Sequence, residues 1–264
     1  MHLKRFKLKY TITFIFFISL LTSCAHTQNI DPPRESFIFV KKSMSERSCV
    51  NNTCLSVDIP ATRSSASAFV VKTTLHGSYV VTAGHVCRND LPSFYRPKEN
   101  TKVVSVYKLY NVGGKQFSAV SLTYNMEIDA CLMFSHDMLA GDVKPIRLSA
   151  SKPEPGDKVY NLAAPIGIWR PGMVPILEGR FNGNSGGHAF YSIPASPGSS
   201  GSMIINEDGH LIGLLHSVYT RFPIISLSTR YEDLTIFIFT NIAKYDMYMR
   251  HMISLKLDNI FEPE

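Results

Sequence analysis

The sequence predicts an all-β fold, and three observations carry that expectation. Short runs of β-branched, aromatic and aliphatic residues recur at fairly even spacing, at 68–72, 79–82, 103–109, 119–124, 130–134, 158–163, 173–180, 203–206, 211–217 and 235–239. Many short strands divided by turns suit a barrel or sandwich better than alternating strand–helix units. Asn206-Glu207-Asp208-Gly209 lies between two apolar runs, and its Asp-Gly pair supplies a hairpin turn. Helical periodicity is confined to about 241–254, where Ile242, Tyr245, Met249 and Met252 recur at helical spacing.

Composition agrees with a packed chain. The 264 residues are 45% hydrophobic and 18% charged, which excludes disorder and leaves room for one large domain or two small ones. The 151–156 stretch, with Pro153 and Pro155, is the expected joint between two halves. The net charge of +6 has a local origin. Lys4, Arg5, Lys7 and Lys9 precede Cys24 and no acid does, so the chain from Cys24 onward carries 23 basic against 21 acidic residues. A charge near +2 gives no reason to expect a nucleic-acid partner.

That basic head leads into the apolar run Ile12-Thr13-Phe14-Ile15-Phe16-Phe17-Ile18-Ser19-Leu20-Leu21, too short for a membrane-spanning helix and suited to a signal-peptide core. The run ends in Leu21-Thr22-Ser23-Cys24, which resembles a bacterial lipobox. The resemblance implies removal of residues 1–23 and lipidation of Cys24, with diacylglycerol and fatty acids such as palmitate. Ala25, rather than Asp, resembles the type retained at the outer membrane. The expectation is an exported lipoprotein held by its lipid at the periplasmic face of a bacterial membrane, the outer one favoured. Residues 24–60 are then a tether and lead-in segment, polar apart from the patch Phe37-Ile38-Phe39-Val40.

Cys49, Cys54, Cys87 and Cys131 remain, an even number suited to an oxidising compartment. Cys49 with Cys54 and Cys87 with Cys131 are the available bridges; buried free thiols are the other reading.

Three segments carry the chemistry. Val81-Thr82-Ala83-Gly84-His85-Val86-Cys87 delivers a histidine from a strand into a turn of small residues. Glu127-Ile128-Asp129 opens the apolar run Ala130-Cys131-Leu132-Met133-Phe134, where a carboxylate is costly without a fixed partner. Pro197-Gly198-Ser199-Ser200-Gly201-Ser202 sets a serine between glycines ahead of a strand and the Asp-Gly hairpin. Serine is a poor nucleophile until a base takes its proton, and the base needs an acid to fix its tautomer. His85 is therefore the candidate base, Asp129 its orienter and Ser200 the nucleophile, with the N–H groups of Gly198 and Ser200 as the oxyanion hole.

Gly183-Asn184-Ser185-Gly186-Gly187 fits the pattern G-x-S-x-G more closely, and Asp208 with His210 or His216 follows it in the order of an α/β-hydrolase. That fold needs parallel strands alternating with helices, so Ser185 is expected in a glycine-rich surface loop.

The chain order His85, Asp129, Ser200 resembles the trypsin-like serine peptidases of the bacterial HtrA (DegP-like) type. Ala66-Ser67-Ala68-Phe69-Val70-Val71 is similar to the first strand of that domain, and Gly156-Asp157-Lys158-Val159-Tyr160 with Ala164-Pro165-Ile166-Gly167 to its G-D-x-V…G-x-P-x-G segment. Gly209-His210-Leu211-Ile212-Gly213 resembles the strand after the nucleophile, and 235–244 the last strand and helix. The resemblance spans about 66–254 and implies two six-stranded antiparallel β-barrels, chymotrypsin-like, with a C-terminal helix at about 241–254. The peptidase domain is then 61–264, the first barrel about 61–150 and the second about 155–240, with no length left for a PDZ domain. Ser199 stands where the family usually has Asn or Asp, and Ser202 where it usually has Gly. The implied primary pocket is lined around Ile193, Pro194 and Ala195 and by His216, Ser217 and Val218. None is acidic, so a small or apolar side chain is expected there rather than Lys or Arg.

The sequence thus points to a membrane-tethered serine endopeptidase acting on protein or peptide through an acyl-enzyme. A catalytically weak or inactive scaffold of the same fold is the alternative. No cofactor or metal is expected, since the nine histidines show no ligand spacing such as H-E-x-x-H.

Overall fold

A computed structural model describes residues 31–50, 53–219 and 222–258. The signal segment and Cys24 lie outside the described residues. The all-β expectation holds, as two closed antiparallel barrels of six strands each and one long C-terminal helix.

The first barrel is built from β1 (Phe37–Val50), β3 (Ser64–Thr74), β4 (Gly77–Ala83), β5 (Lys102–Asn111), β6 (Gln116–Asn125) and β7 (Ala130–Ser135). It runs in the order β1-β3-β4-β7-β6-β5, and β5 closes the ring onto β1. β2 (Thr53–Asp58) folds back on the far end of β1, and the Cys49–Cys54 disulfide joins the two.

The barrel therefore begins at Phe37, earlier than the boundary near 61 that the pattern implied. Phe37 and Phe39 face the second barrel, while Ile38 and Val40 fill the interior of the first. A strand buried on both faces reads as an unbroken apolar run. Only those four residues show it, because the remainder of β1 is polar, and the strand was hidden in a segment that resembled a tether.

The second barrel closes in the order β10-β13-β12-β11-β8-β9. Its strands are β8 (Lys158–Leu162), β9 (Ile176–Ser185), β10 (His188–Tyr191), β11 (Ser202–Ile205), β12 (Leu211–Tyr219) and β13 (Phe222–Thr229). The Asn206–Gly209 turn joins β11 to β12 as the Asp-Gly signal predicts, with Asn206 N–H donating to His210 O (2.9 Å). β13 escaped the sequence reading because Ser226, Ser228 and Thr229 fill its buried positions. Their hydroxyls are satisfied internally: Ser226 donates to Ile193 O (2.5 Å) and Thr229 to Ile128 O (2.6 Å) across to the first barrel.

Residues 235–239 are helical rather than the expected last strand, and the helix spans Tyr231–Asp258 rather than about 241–254. Two forces override the β-prone run Thr235-Ile236-Phe237-Ile238-Phe239. Glu232 and Asp233 sit in the first turn, where carboxylates favour the helix dipole. Leu234, Phe237, Ile238 and Ile242 recur at helical spacing and are all buried. The helix lies against the first barrel, where Tyr79 donates to Asp246 Oδ1 (2.8 Å) and Tyr245 to Leu122 O (2.7 Å). None of the helices among the described residues is long and apolar enough to cross a membrane.

Three apolar clusters hold the fold. Val70, Val80, Leu109 and Met133 fill the first barrel, and Val159, Phe181, Tyr191 and Ile204 the second. The third lies in the seam, where Phe69, Val81 and Leu132 meet Leu162, Met203 and Leu214. Adjacent residues of β3, β4 and β7 thus enter different cores, as period-two alternation requires.

Candidate active site

β4 ends at the seam in Thr82 and Ala83, and the chain turns at once into a single helical turn, α1 (Gly84–Cys87), which carries His85. Gly84 is required there: a Cβ would lie 3.0 Å from both Asn125 O and Asp129 Oδ1. Asp129 ends the turn between β6 and β7 in the left-handed region, φ 49°, sparsely populated by side-chain-bearing residues and tolerated best by Asp and Asn. That turn aims the carboxylate at α1. Asp129 Oδ1 accepts the His85 backbone N–H (2.8 Å) and Oδ2 lies 2.9 Å from His85 Nδ1. Both carboxylate oxygens are thus occupied, one fixing the turn and the other the imidazole. The Cys87–Cys131 disulfide ties α1 to β7, two residues beyond each member of the pair. Burial alone would raise the Asp129 carboxyl, but the hydrogen bonds and charge of His85, and the neighbouring His216, hold it below its ordinary value.

Ser200 approaches from the second barrel. Gly201 packs against β3 and β4 so closely that a Cβ would meet Thr82 Oγ1 at 2.1 Å and Ser67 O at 2.2 Å, and its φ is +85°. Gly198, with φ +99°, abuts the 164–167 turn, where a Cβ would lie 2.5 Å from Ala164 O. Ser199 N–H is used within the loop, donating to Ser196 O (2.9 Å). The N–H groups of Gly198 and Ser200 donate to no backbone carbonyl among the described residues. The half-buried Ser200 hydroxyl makes its one hydrogen bond among the described residues to His216 O, at 3.4 Å, and none to His85.

Ser67 was missed by sequence reasoning and is the hub of this loop. Its hydroxyl donates to Gly198 O (2.8 Å) and accepts Ala164 N–H (2.9 Å). Its N–H donates to Ser200 O (2.9 Å), and its carbonyl accepts the Thr82 hydroxyl (2.8 Å). The available signal was a serine set between Ala66 and Ala68, just before the apolar run Phe69-Val70-Val71. Ser202 is also accommodated: Asn161 Nδ2 donates to its buried hydroxyl (2.7 Å) and to Met203 O (2.9 Å).

His216 is buried. Its side chain is only 5% exposed and turns inward, with Nδ1 3.7 Å from Asp129 Oδ2 and 2.9 Å from Ser217 Oγ. His216 sits at a break in the β12–β13 register between Leu215 and Ser217, and Ser217, the next residue, faces outward. Burial pushes the His216 imidazole down to about 4 against the pull of Asp129, and it is neutral at pH 7. His188 lies beside it, ring centroids 5.3 Å apart. Of the other expected pocket residues, Pro194 and Ser217 are exposed, Ala195 and Val218 half-buried, and Ile193 is wholly buried in the second core.

Ser185 proves to be the last residue of β9, exposed beside the two-residue Gly186-Gly187 hairpin and paired with His188. Asp208 and His210 belong to the separate β11–β12 turn, and among the described residues neither bonds Ser185. Among the described residues, no group of three or more His, Cys, Asp or Glu side chains has metal-binding geometry.

A hydrogen-bonded His–Asp pair on one barrel, facing a glycine-bracketed serine loop from the other, defines the serine-peptidase architecture. Residues 66–214 match the profile of the trypsin-like peptidase domain, a stretch from β3 into β12. The match covers more than half of the chain, which belongs to the trypsin-like peptidase family. A comparison with curated proteins finds no match.

Proposed function

We propose that the chain is a serine endopeptidase of HtrA-like type, tethered to a bacterial membrane through a lipid on Cys24. The observation that carries the catalytic part is the doubly hydrogen-bonded His85–Asp129 pair, held beside the loop that presents Ser200. In this reading the Ser200 hydroxyl rotates from His216 O toward His85, a tightening common when substrate enters an open site. Its oxygen attacks the scissile carbonyl carbon while His85 Nε2 takes the proton, and Asp129 stabilises the imidazolium. The N–H groups of Gly198 and Ser200 receive the oxyanion, a contribution of about 3 kcal/mol per donor in such sites. The C–N bond then breaks, His85 returns the proton to the leaving amine, and water hydrolyses the acyl-enzyme with His85 again as base.

The Ser200–His216 hydrogen bond favours a second reading, a scaffold of this fold with little activity. A fluorophosphonate probe separates the two: the wild type labels and Ser200→Ala does not, while Ser185→Ala labels normally. A folded wild type that fails to label supports the scaffold, and labelling that survives Ser200→Ala refutes the assignment. The tether is tested separately by Cys24→Ser, expected to abolish incorporation of labelled palmitate.

A further inference from the structure

A groove of ≈ 560 Å³ on the first barrel carries a charge pattern that the catalytic reading leaves unused. Lys41 on β1 stands directly opposite Lys108 on β5 and Ser65 on β3. Like charges facing each other across strands destabilise a sheet. Neither lysine has a carboxylate partner among the described residues. Lys42 and Arg63 also line the groove, and its single carboxylate, Asp58, sits 3.4 Å from Arg63. Lys41 is held over the rings of Tyr110 (5.3 Å) and Phe39 (5.8 Å), which steadies its ammonium without neutralising it.

The groove adjoins the nucleophile loop. The Ser65 hydroxyl lies 3.3 Å from where a Cβ on Gly167 would stand, and the Gly167 nitrogen 3.0 Å from where one on Gly198 would stand. Two residues along β3, Ser67 bonds Gly198 and Ser200 directly. Direction follows from the proton transfers. His85, which protonates the leaving amine, comes from the first barrel, as does the groove; Ser200, which takes the acyl half, comes from the second. A chain extended at about 3.3 Å per residue reaches the lysines within a few residues of the cleaved bond.

We propose that this groove binds acidic side chains of the substrate on the leaving side of the cleaved bond. The proposal rests on the serine-peptidase reading and names its substrate class: proteins with Asp or Glu shortly after the cleavage point.

The test uses quenched fluorescent peptides identical up to the cleaved bond and carrying Asp-Asp, Ala-Ala or Lys-Lys at the second and third residues beyond it. The wild type should cleave the Asp-Asp peptide with kcat/KM about tenfold above Ala-Ala, a margin that shrinks as salt rises. Lys41→Glu with Lys108→Glu should reverse the order, while Lys41→Gln with Lys108→Gln should level it. A small ester with no peptide leaving group should react equally in all three proteins. Equal kcat/KM for the three peptides in an enzyme that hydrolyses the ester overturns the groove and leaves the catalytic reading standing. If the ester is untouched, the catalytic reading fails, and anisotropy of a labelled acidic peptide decides the groove: charge-dependent binding lost in the Glu variant supports it, and no binding refutes it. Loss of binding to phosphatidylglycerol vesicles, with peptide selectivity unchanged, assigns the lysines to a lipid surface and overturns the proposal.

Discussion

Acidification from pH 7.5 to 4.5 should destabilise this protein through one side chain, His216. Its imidazole is buried and stands at about 4 in the fold, against 6.5 in the unfolded chain. Between those values the unfolded state binds the proton and the folded state does not. The His216 contribution is therefore complete above pH 6.5, shrinks as pH falls, and is exhausted below about 4. Integrating that difference gives a loss of about 1 kcal/mol at pH 5.5 and about 2–3 kcal/mol at pH 4.5. The groups facing the ring are Asp129, His85 and His188. Asp129, lowered from 3.8, acts in the same fold but only at lower pH, where its protonation removes stability. The assay is urea unfolding at pH 7.5, 6.5, 5.5 and 4.5 for wild type and His216→Gln, which keeps a hydrogen-bonding group beside Ser217 and cannot titrate. The gap between the two proteins should change by the stated amounts, and everything common to both cancels. Parallel curves through this window would refute a buried neutral His216.

Asp129→Asn should lower kcat about 10³- to 10⁴-fold by favouring the wrong His85 tautomer; a drop under tenfold in the fluorophosphonate labelling rate would count against Asp129 as orienter. Ser67→Ala strands the buried Ala164 N–H, so urea unfolding should show a loss of about 1–3 kcal/mol, and kcat should fall more than KM rises. Unchanged stability and kcat would remove Ser67 from the loop's support. Gly201→Ala should cost upwards of about 2 kcal/mol, because Thr82 Oγ1 is held by its bond to Ser67 O and φ is +85°. A loss under about 0.5 kcal/mol would show that the loop yields. Replacing Cys87 and Cys131 together by Ala should lower stability by up to about 4 kcal/mol, given their sequence separation of 44; calorimetry with no fall in Tm would disprove the link.

The turn that carries His85, the Asp129 carboxylate beside it and the Ser200 loop were legible in local patterns: small residues around the histidine, a carboxylate entering a buried strand, glycines around the serine. The strand β1 was not, since only Phe37-Ile38-Phe39-Val40 rises above a polar background and the β5 partner that closes the ring is more than fifty residues away. β13 was hidden by its buried hydroxyls, whose acceptors, Ile193 O and Ile128 O, are supplied by distant segments. Residues 235–239 misled because β propensity is a local quantity, and the seam that selects the helix is not. The departures at Ser199 and Ser202 look alike in sequence. One is buried within its own loop, and the other is met by Asn161 from a neighbouring strand. Partners of that kind are a property of topology.

The seam core draws on both extremes of the described chain: Phe37 and Phe39 from its first strand, Ile238 and Ile242 from its last helix. Order of synthesis therefore matters. A nascent chain that has completed the first barrel still exposes Phe69, Val81 and Leu132, and Tyr79 waits for Asp246. The seam core is thus shared by both barrels and the final helix, and no one of the three buries it alone.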